Sequence, residues 1–323
     1  MKKLAFNLLR FGVSIGLLVY LVYLADVDKI VLALRQADEV WLTLALAIFV
    51  VSVFLFTVRW QLLLKGVGIS VPYGSLMRYY LIGYFFNNFL PTTIGGDVSR
   101  AYNLALHTDQ KSDSIASVLM ERILGLLATL SLAAVALLLV LNRFSSSMRF
   151  AIATVVLMML IGALMFFLAL LHPYFYSHAC KLFSRISIMG IGGKIVQLLE
   201  SIHAYRNSVK TVIAGFLLSL ACQLLLVWMN YVLALSLGLD VDFSYLMLVV
   251  PVTFAIGLLP SINGLGVRDL GYETLLTRVG VTSAEALSLS FLNTIIPLSA
   301  GVAGGICLLF QRKNEKKQQA GVN

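Results

Sequence analysis

The chain has 323 residues, 60% of them apolar and only 12% charged, with a mean hydropathy of +0.93. Such a composition excludes a soluble globule of ordinary surface and leaves no room for a soluble catalytic domain. The net charge of +9 is read as membrane topology rather than nucleic-acid binding, because Lys and Arg collect on the cytoplasmic side of polytopic proteins.

The basic MKK start leads into an apolar run over about 6–25. That run is too long for a secretory signal and lacks a good cleavage site, so it is expected to stay as the first span. Further stretches able to cross roughly 30 Å of hydrocarbon at about 20 residues each follow at about 40–58, 115–141, 150–171, 211–237 and 284–310. The expectation is an all-α integral membrane protein, one domain over 1–310 with about six spanning helices, then a basic cytoplasmic tail over 311–323.

Two further apolar segments, near 79–100 and 244–269, are too short to cross comfortably and carry related motifs. The first reads LPTTIGGDVSR from Leu90 to Arg100, the second LPSINGLGVRD from Leu259 to Asp269. They share Leu-Pro, the Gly four residues after the Pro, and Val98 with Val267. Pro lacks an amide hydrogen and Gly permits unusual backbone angles, so each motif should end one helix and let another begin. Paired broken segments in two halves of a chain point to a transporter binding site.

Positive charges choose between two topologies. If all eight apolar segments cross, Lys and Arg divide twelve to eleven, leaving aside Arg122; if the two motif segments are re-entrant, they divide seventeen inside to six outside. The positive-inside rule prefers the second. It places both termini in the cytoplasm of a multi-pass plasma (inner) membrane protein and orients the two re-entrant segments oppositely, as an inverted repeat requires. The loop over 172–210 becomes cytoplasmic. Within it Ile195, Leu198, Leu199, Ile202 and Tyr205 recur at helical spacing, which predicts an amphipathic helix lying at the interface or packed under the bundle.

Broken backbone within hydrocarbon must be buried in protein or line a watery cavity. The half-helix after Gly96 has Asp97 or Ser99 available as a cap, and the one after Gly266 has Asp269 in its first turn. Helix N-termini with Arg100 and Arg268 beside them suit phosphate oxygens. Glu121 and Arg122 stand in a following span, where charge needs partners. Three Arg then face four acids, Asp97, Glu121, Asp269 and Glu273, so two readings stay open: a headgroup site, or a structural network that neutralises itself. Asp97 or Glu121 could also carry a proton. Tyr79, Tyr80 and Tyr84 are read as interfacial anchors, and Asn87, Asn88 and Asn263 as partners for broken backbone or a headgroup. Cys180, Cys222, Cys307 and the four His lack ligand spacing, so no metal, cofactor or disulfide framework is expected.

At NNFLPTTIGGDVSRAY, LMERILGLL and LLPSINGLGVRDLGY the chain resembles the lysylphosphatidylglycerol synthase transmembrane-region family, also called flippase-like domain proteins. The resemblance marks Pro91, Gly95, Gly96, Asp97, Arg100, Glu121, Arg122, Gly264, Gly266, Val267, Arg268 and Asp269. Asn263 stands where family members often have Gly, and Asp269 where Glu is commoner. It implies a membrane domain that moves or binds polar lipids, a phospholipid or a polyprenyl phosphate, here without the aminoacyl-transferring domain and without enzymatic activity. The alternative it implies is an accessory lipid-binding subunit for a glycosyltransferase or lipid-modifying enzyme.

Overall fold

A computed structural model describes residues 31, 32, 34–89, 95–140, 146–184, 191–257 and 266–320. They are helical apart from short turns, without a strand among them. The helices are α1 (Glu39–Gly66), α2 (Tyr73–Phe89), α3 (Gly95–Thr108), α4 (Lys111–Val140), α5 (Ser146–Leu171) and α6 (Pro173–Ser184). They continue as α7 (Ile191–His203), α8 (Val209–Ser236), α9 (Phe243–Gly257), α10 (Val267–Leu276) and α11 (Ser283–Ala320).

Five segments are long and apolar enough to cross a bilayer: α1, α4, Ile152–Leu171 of α5, α8, and Ser283–Phe310 of α11. They coincide with five of the six expected spans; the span expected over 6–25 lies outside the described residues. The second span is longer than 40–58, because α1 runs on through Arg59 to Gly66. It starts at Asp38, whose carboxylate accepts from the amides of Val40 at 2.8 Å and Trp41 at 3.4 Å.

Four of the shorter helices fold as two hairpins, α2–α3 and α9–α10. In α2–α3, the Tyr79 hydroxyl lies 3.3 Å from His107 Nδ1, and Asn87 Oδ1 accepts from the Gly96 amide at 2.8 Å. The hairpin closes tightly because both Gly83 and Gly96 lack a side chain: a Cβ on Gly96 would collide with the Gly83 carbonyl. In α9–α10, the Tyr245 hydroxyl donates to the Leu275 carbonyl at 2.7 Å, and Gly271 faces Thr253.

Each hairpin packs on a helix from the other part of the chain. α2 lies along α11 and α9 along α4, while α1 and α8 pair with each other. That last pair is antiparallel: the Asp38 amide donates to Ser236 O at 2.8 Å, and the Ser208 hydroxyl donates to Gly66 O. The corner after α1 also matches the corner after α8. Gly68 (φ 81°) and Gly238 (φ 68°) occupy the left-handed region that glycine adopts without strain. Ile69 N bonds Leu64 O at 3.0 Å, as Leu239 N bonds Ala234 O at 3.0 Å.

Small residues make the α2–α11 contact close. Gly301, Gly304 and Gly305 face Asn88, Leu81 and Phe85, and a Cβ on Gly304 would strike the Leu81 carbonyl. Van der Waals packing of approached backbones is what holds helices together in lipid. The outer faces of α1, α5 and α8 expose Phe54, Met158, Met165, Phe166 and Trp228, as lipid contact requires. Of the two placements open for the amphipathic stretch from Ile195 to Tyr205, burial favours packing against the bundle: Ile202 and Tyr205 enter a cluster with Leu63, Met120 and Leu124.

Candidate functional site: a charged cavity between the two hairpins

Three helices bring charge to one point, and a fourth adds a phenol. From α4, Glu121 is only 1% exposed. Its Oε1 accepts from Arg59 Nη2 of α1 at 2.6 Å and from the Tyr80 hydroxyl of α2 at 2.7 Å. Its Oε2 accepts from Arg100 Nη1 of α3 at 2.7 Å. Arg100 reaches on to Asp97 Oδ1 at 2.8 Å, and Asp97 Oδ2 accepts from Arg122 Nε at 2.6 Å. The result is a chain of alternating charge, Arg59–Glu121–Arg100–Asp97–Arg122. Arg100 also stacks on Tyr80, 4.2 Å from the ring centre. A delocalised guanidinium suits both contacts at once.

The second hairpin supplies a simpler arrangement. Asp269, fully buried, accepts from the Gly266 amide at 2.8 Å through Oδ2 and from the Ser290 hydroxyl through Oδ1. This satisfies the amide at the N-cap of α10. Arg268 donates to Thr294 and lies 3.7 Å from Asp269, a loose pairing, and its buried Nε has no partner among the described residues. Arg59 Nε is likewise buried without one. Nearby, the Tyr272 hydroxyl donates to Asn230 Oδ1 and accepts from Asn293 Nδ2, both at 2.8 Å.

The Arg59-to-Arg122 chain, Tyr80, Arg268, Asn230, Tyr272 and Asn293 line one cavity of about 490 Å³. Its apolar walls include Phe49, Phe56, Leu226, Phe254 and Pro297. Such a mixture, greasy walls with convergent polar groups, is what a ligand site requires.

Of the residues singled out in the sequence, Asp97, Arg100, Glu121, Arg122 and Arg268 line the cavity. Asp269 and Gly266 stand behind Arg268, while Gly95 and Gly96 open α3. Pro91, Asn263 and Gly264 lie outside the described residues. Glu273 does not join the set; it accepts from the Ser283 hydroxyl at 2.8 Å and does not line the cavity. Glu121 pairs with Arg59 and Arg100 rather than with neighbouring Arg122, since adjacent helical side chains point about 100° apart. Tyr80 and Tyr84 are part of the site, not interfacial anchors. The amide of Gly96 is capped by Asn87 and not by Asp97 or Ser99. Asn88 donates to Pro297 O of α11 at 3.3 Å, a contact between two helices rather than with either broken segment.

Arg59 changes the charge count. With Glu273 removed and Arg59 added, four guanidiniums and two carboxylates line the cavity, and Asp269, paired loosely with Arg268 from behind, brings the formal charge of the site to +1. The arrangement can therefore hold an anion without any carboxylate taking up a proton.

A UPF0104 membrane protein of Pyrococcus horikoshii is 24% identical over 334 aligned positions, covering 97% of this chain and 98% of that one. A UPF0104 membrane protein of Methanothermobacter thermautotrophicus is 31% identical over 140 positions, covering 43% of this chain and 41% of the relative. One of Methanocaldococcus jannaschii is 29% identical over 99 positions, 30% of each chain. The family model described as the lysylphosphatidylglycerol synthase TM region matches residues 7–305. With its apolar spans and this near-complete match, the chain is a multi-pass membrane protein that belongs to the lysylphosphatidylglycerol synthase transmembrane-region family.

Proposed function

We propose that the cavity binds a phosphate-bearing lipid headgroup and that the protein carries this lipid across the membrane. One observation carries the reading: four arginines from α1, α3, α4 and α10 converge on a single cavity with a positive charge in excess. Charge placed among membrane spans is costly and is retained for a function. Arg268 and Arg122 are the less committed pair, one loosely paired and the other 43% exposed at its side chain. They are the groups that would meet the phosphate first.

The mechanism we infer is alternating access around an inverted repeat, with each hairpin re-entering from an opposite face. The antiparallel α1–α8 pair, the matched corners at Gly68 and Gly238, and the reciprocal packing of α2 on α11 and α9 on α4 support it. In this orientation Gln110 and Lys181, both exposed, face the cytoplasm. Single cysteines there, on a background without Cys180, Cys222 and Cys307, should resist an impermeant thiol reagent in intact cells. Labelling of both from outside would restore eight full crossings and remove the re-entrant hairpins.

A second reading, an accessory subunit that holds lipid for a glycosyltransferase or lipid-modifying enzyme, has one observation in its favour. The charges of the first hairpin are already fixed to one another, which suits static binding. Both readings require a bound lipid. Mass spectrometry of the protein purified in mild detergent should find a phosphate-bearing lipid at stoichiometric occupancy, and Arg268→Gln should lower that occupancy severalfold without unfolding the protein. Wild-type protein free of any such lipid, even after addition of total membrane extract, would sink both.

A further inference from the structure

Away from the cavity, α6 stands apart from the bundle: none of its residues is fully buried, and its main contacts are with α5 and α7. The helix nevertheless has two faces. Tyr176, Ala179, Cys180 and Phe183, three or four residues apart, are half-buried. Tyr176 stacks on His203 of α7, with ring centres 4.1 Å apart and planes at 9°. His203 is itself held from two sides, its Nδ1 3.3 Å from Leu170 O of α5 and its Nε2 2.9 Å from Arg206 Nη1. That junction sets the roll of α6 and turns Tyr174, Phe175, His178, Lys181 and Leu182 outward, all of them exposed. Tyr174, Phe175 and Leu182 each expose more than half of their surface. Large apolar side chains gathered on the face turned away from protein mark a contact.

We infer that this face of α6 lies in the headgroup layer of the adjoining leaflet, with Tyr174, Phe175 and Leu182 entering the acyl boundary and Lys181 meeting anionic headgroups. Position is the first argument. Only His172 separates Pro173 from Leu171, the end of a spanning segment, so at about 3.8 Å per residue α6 starts at the edge of the hydrocarbon. It starts beside lipid, because α5 is a peripheral span that exposes Met158, Met165 and Phe166. Charge is the second. From His172 to Lys210 the sequence carries five Lys or Arg against one acid, Glu200, and a basic segment next to a span is drawn to an anionic membrane surface. Aromatic and aliphatic residues with Lys on one short helix are the make-up of an interfacial anchor. A protein partner fits less well, since a stable interface buries roughly 1,200 to 2,000 Å² and this face belongs to a helix of 12 residues. The inference is independent of what the cavity binds; the orientation proposed above only makes the leaflet the cytoplasmic one.

The test is the depth of nitroxide labels on the full-length protein in vesicles. Labels are attached to Phe175→Cys, Leu182→Cys and, as a reference on the exposed side of α7, Glu200→Cys, each on a background without Cys180, Cys222 and Cys307. Power saturation then compares collisions with oxygen, which concentrates in hydrocarbon, and with a water-soluble nickel chelate. Labels at 175 and 182 should favour oxygen, and the label at 200 should favour nickel. Adding phosphatidylserine to phosphatidylcholine vesicles should raise the oxygen-to-nickel ratio at 182 severalfold, and Lys181→Gln or high salt should diminish that rise. Labels at 175 and 182 as open to nickel as the one at 200 would place α6 in water and overturn the inference. Shielding from both reagents would overturn it in favour of a protein partner or a second copy. A ratio at 182 that ignores phosphatidylserine would overturn the part assigned to anionic headgroups. None of these results depends on whether the cavity holds lipid.

Discussion

Glu121→Gln should sharply lower the thermal stability of the purified protein, more than any other single substitution at the site. Glu121 is the shared partner of Arg59, Arg100 and Tyr80, and it is almost completely buried. The amide keeps the shape but removes the charge, so two guanidiniums that leave water on folding lose their common counter-ion. Breaking a buried ion pair from one side costs about 3 to 5 kcal/mol. The neighbouring cavity admits some water and Asp97 still holds Arg100, so the lower end of that range is expected. It remains a large share of the roughly 5 to 15 kcal/mol that stabilises an ordinary domain. Adding Arg59→Gln should recover part of the loss, because it removes one of the stranded cations. Melting of the detergent-solubilised variants, followed by the fraction that stays monodisperse after heating, measures both effects. A Glu121→Gln protein that melts with the wild type would show that the charge chain contributes nothing to the fold.

The spanning helices were legible because hydropathy over about 20 residues is a one-dimensional signal that needs no partner. The breaks were legible for a similar reason, since the Pro- and Gly-rich motifs interrupt two apolar segments that are already short. Arg100, Glu121, Arg122 and Arg268 could be placed at one site because charge inside such segments demands company. What the sequence left open was who kept company with whom. Arg59 follows an apolar run and reads there like a basic anchor at the cytoplasmic face; only the continuation of α1 to Gly66 draws it inside. Its inclusion, with the loss of Glu273, turns an excess of acid into an excess of base. Tyr80 matched the pattern of an interfacial belt, yet its hydroxyl closes the shell around Glu121. Asn230 and Asn293, amides in apolar spans, were a signal that could have been used, because a buried amide must find a hydrogen-bond partner.

Arg122→Gln with Arg268→Gln should abolish most lipid movement while leaving the protein folded. Neither arginine donates to Glu121, so the central hub stays intact. Losing Arg122 frees one oxygen of Asp97, which is partly exposed and can take water. A hydrogen bond to a charged group is worth about 1.5 to 3 kcal/mol, and each 1.4 kcal/mol is tenfold, so two lost phosphate contacts should slow movement by about a hundredfold or more. The measurement is transbilayer movement of a fluorescent phospholipid in vesicles reconstituted with the purified protein, read by quenching of outer-leaflet label with an impermeant reductant. Wild-type protein should expose inner-leaflet lipid to quenching, and the double variant should not. Wild-type vesicles that protect their inner leaflet as well as protein-free ones, from a protein that still binds the lipid, would contradict the translocase and leave an accessory lipid-binding subunit in its place.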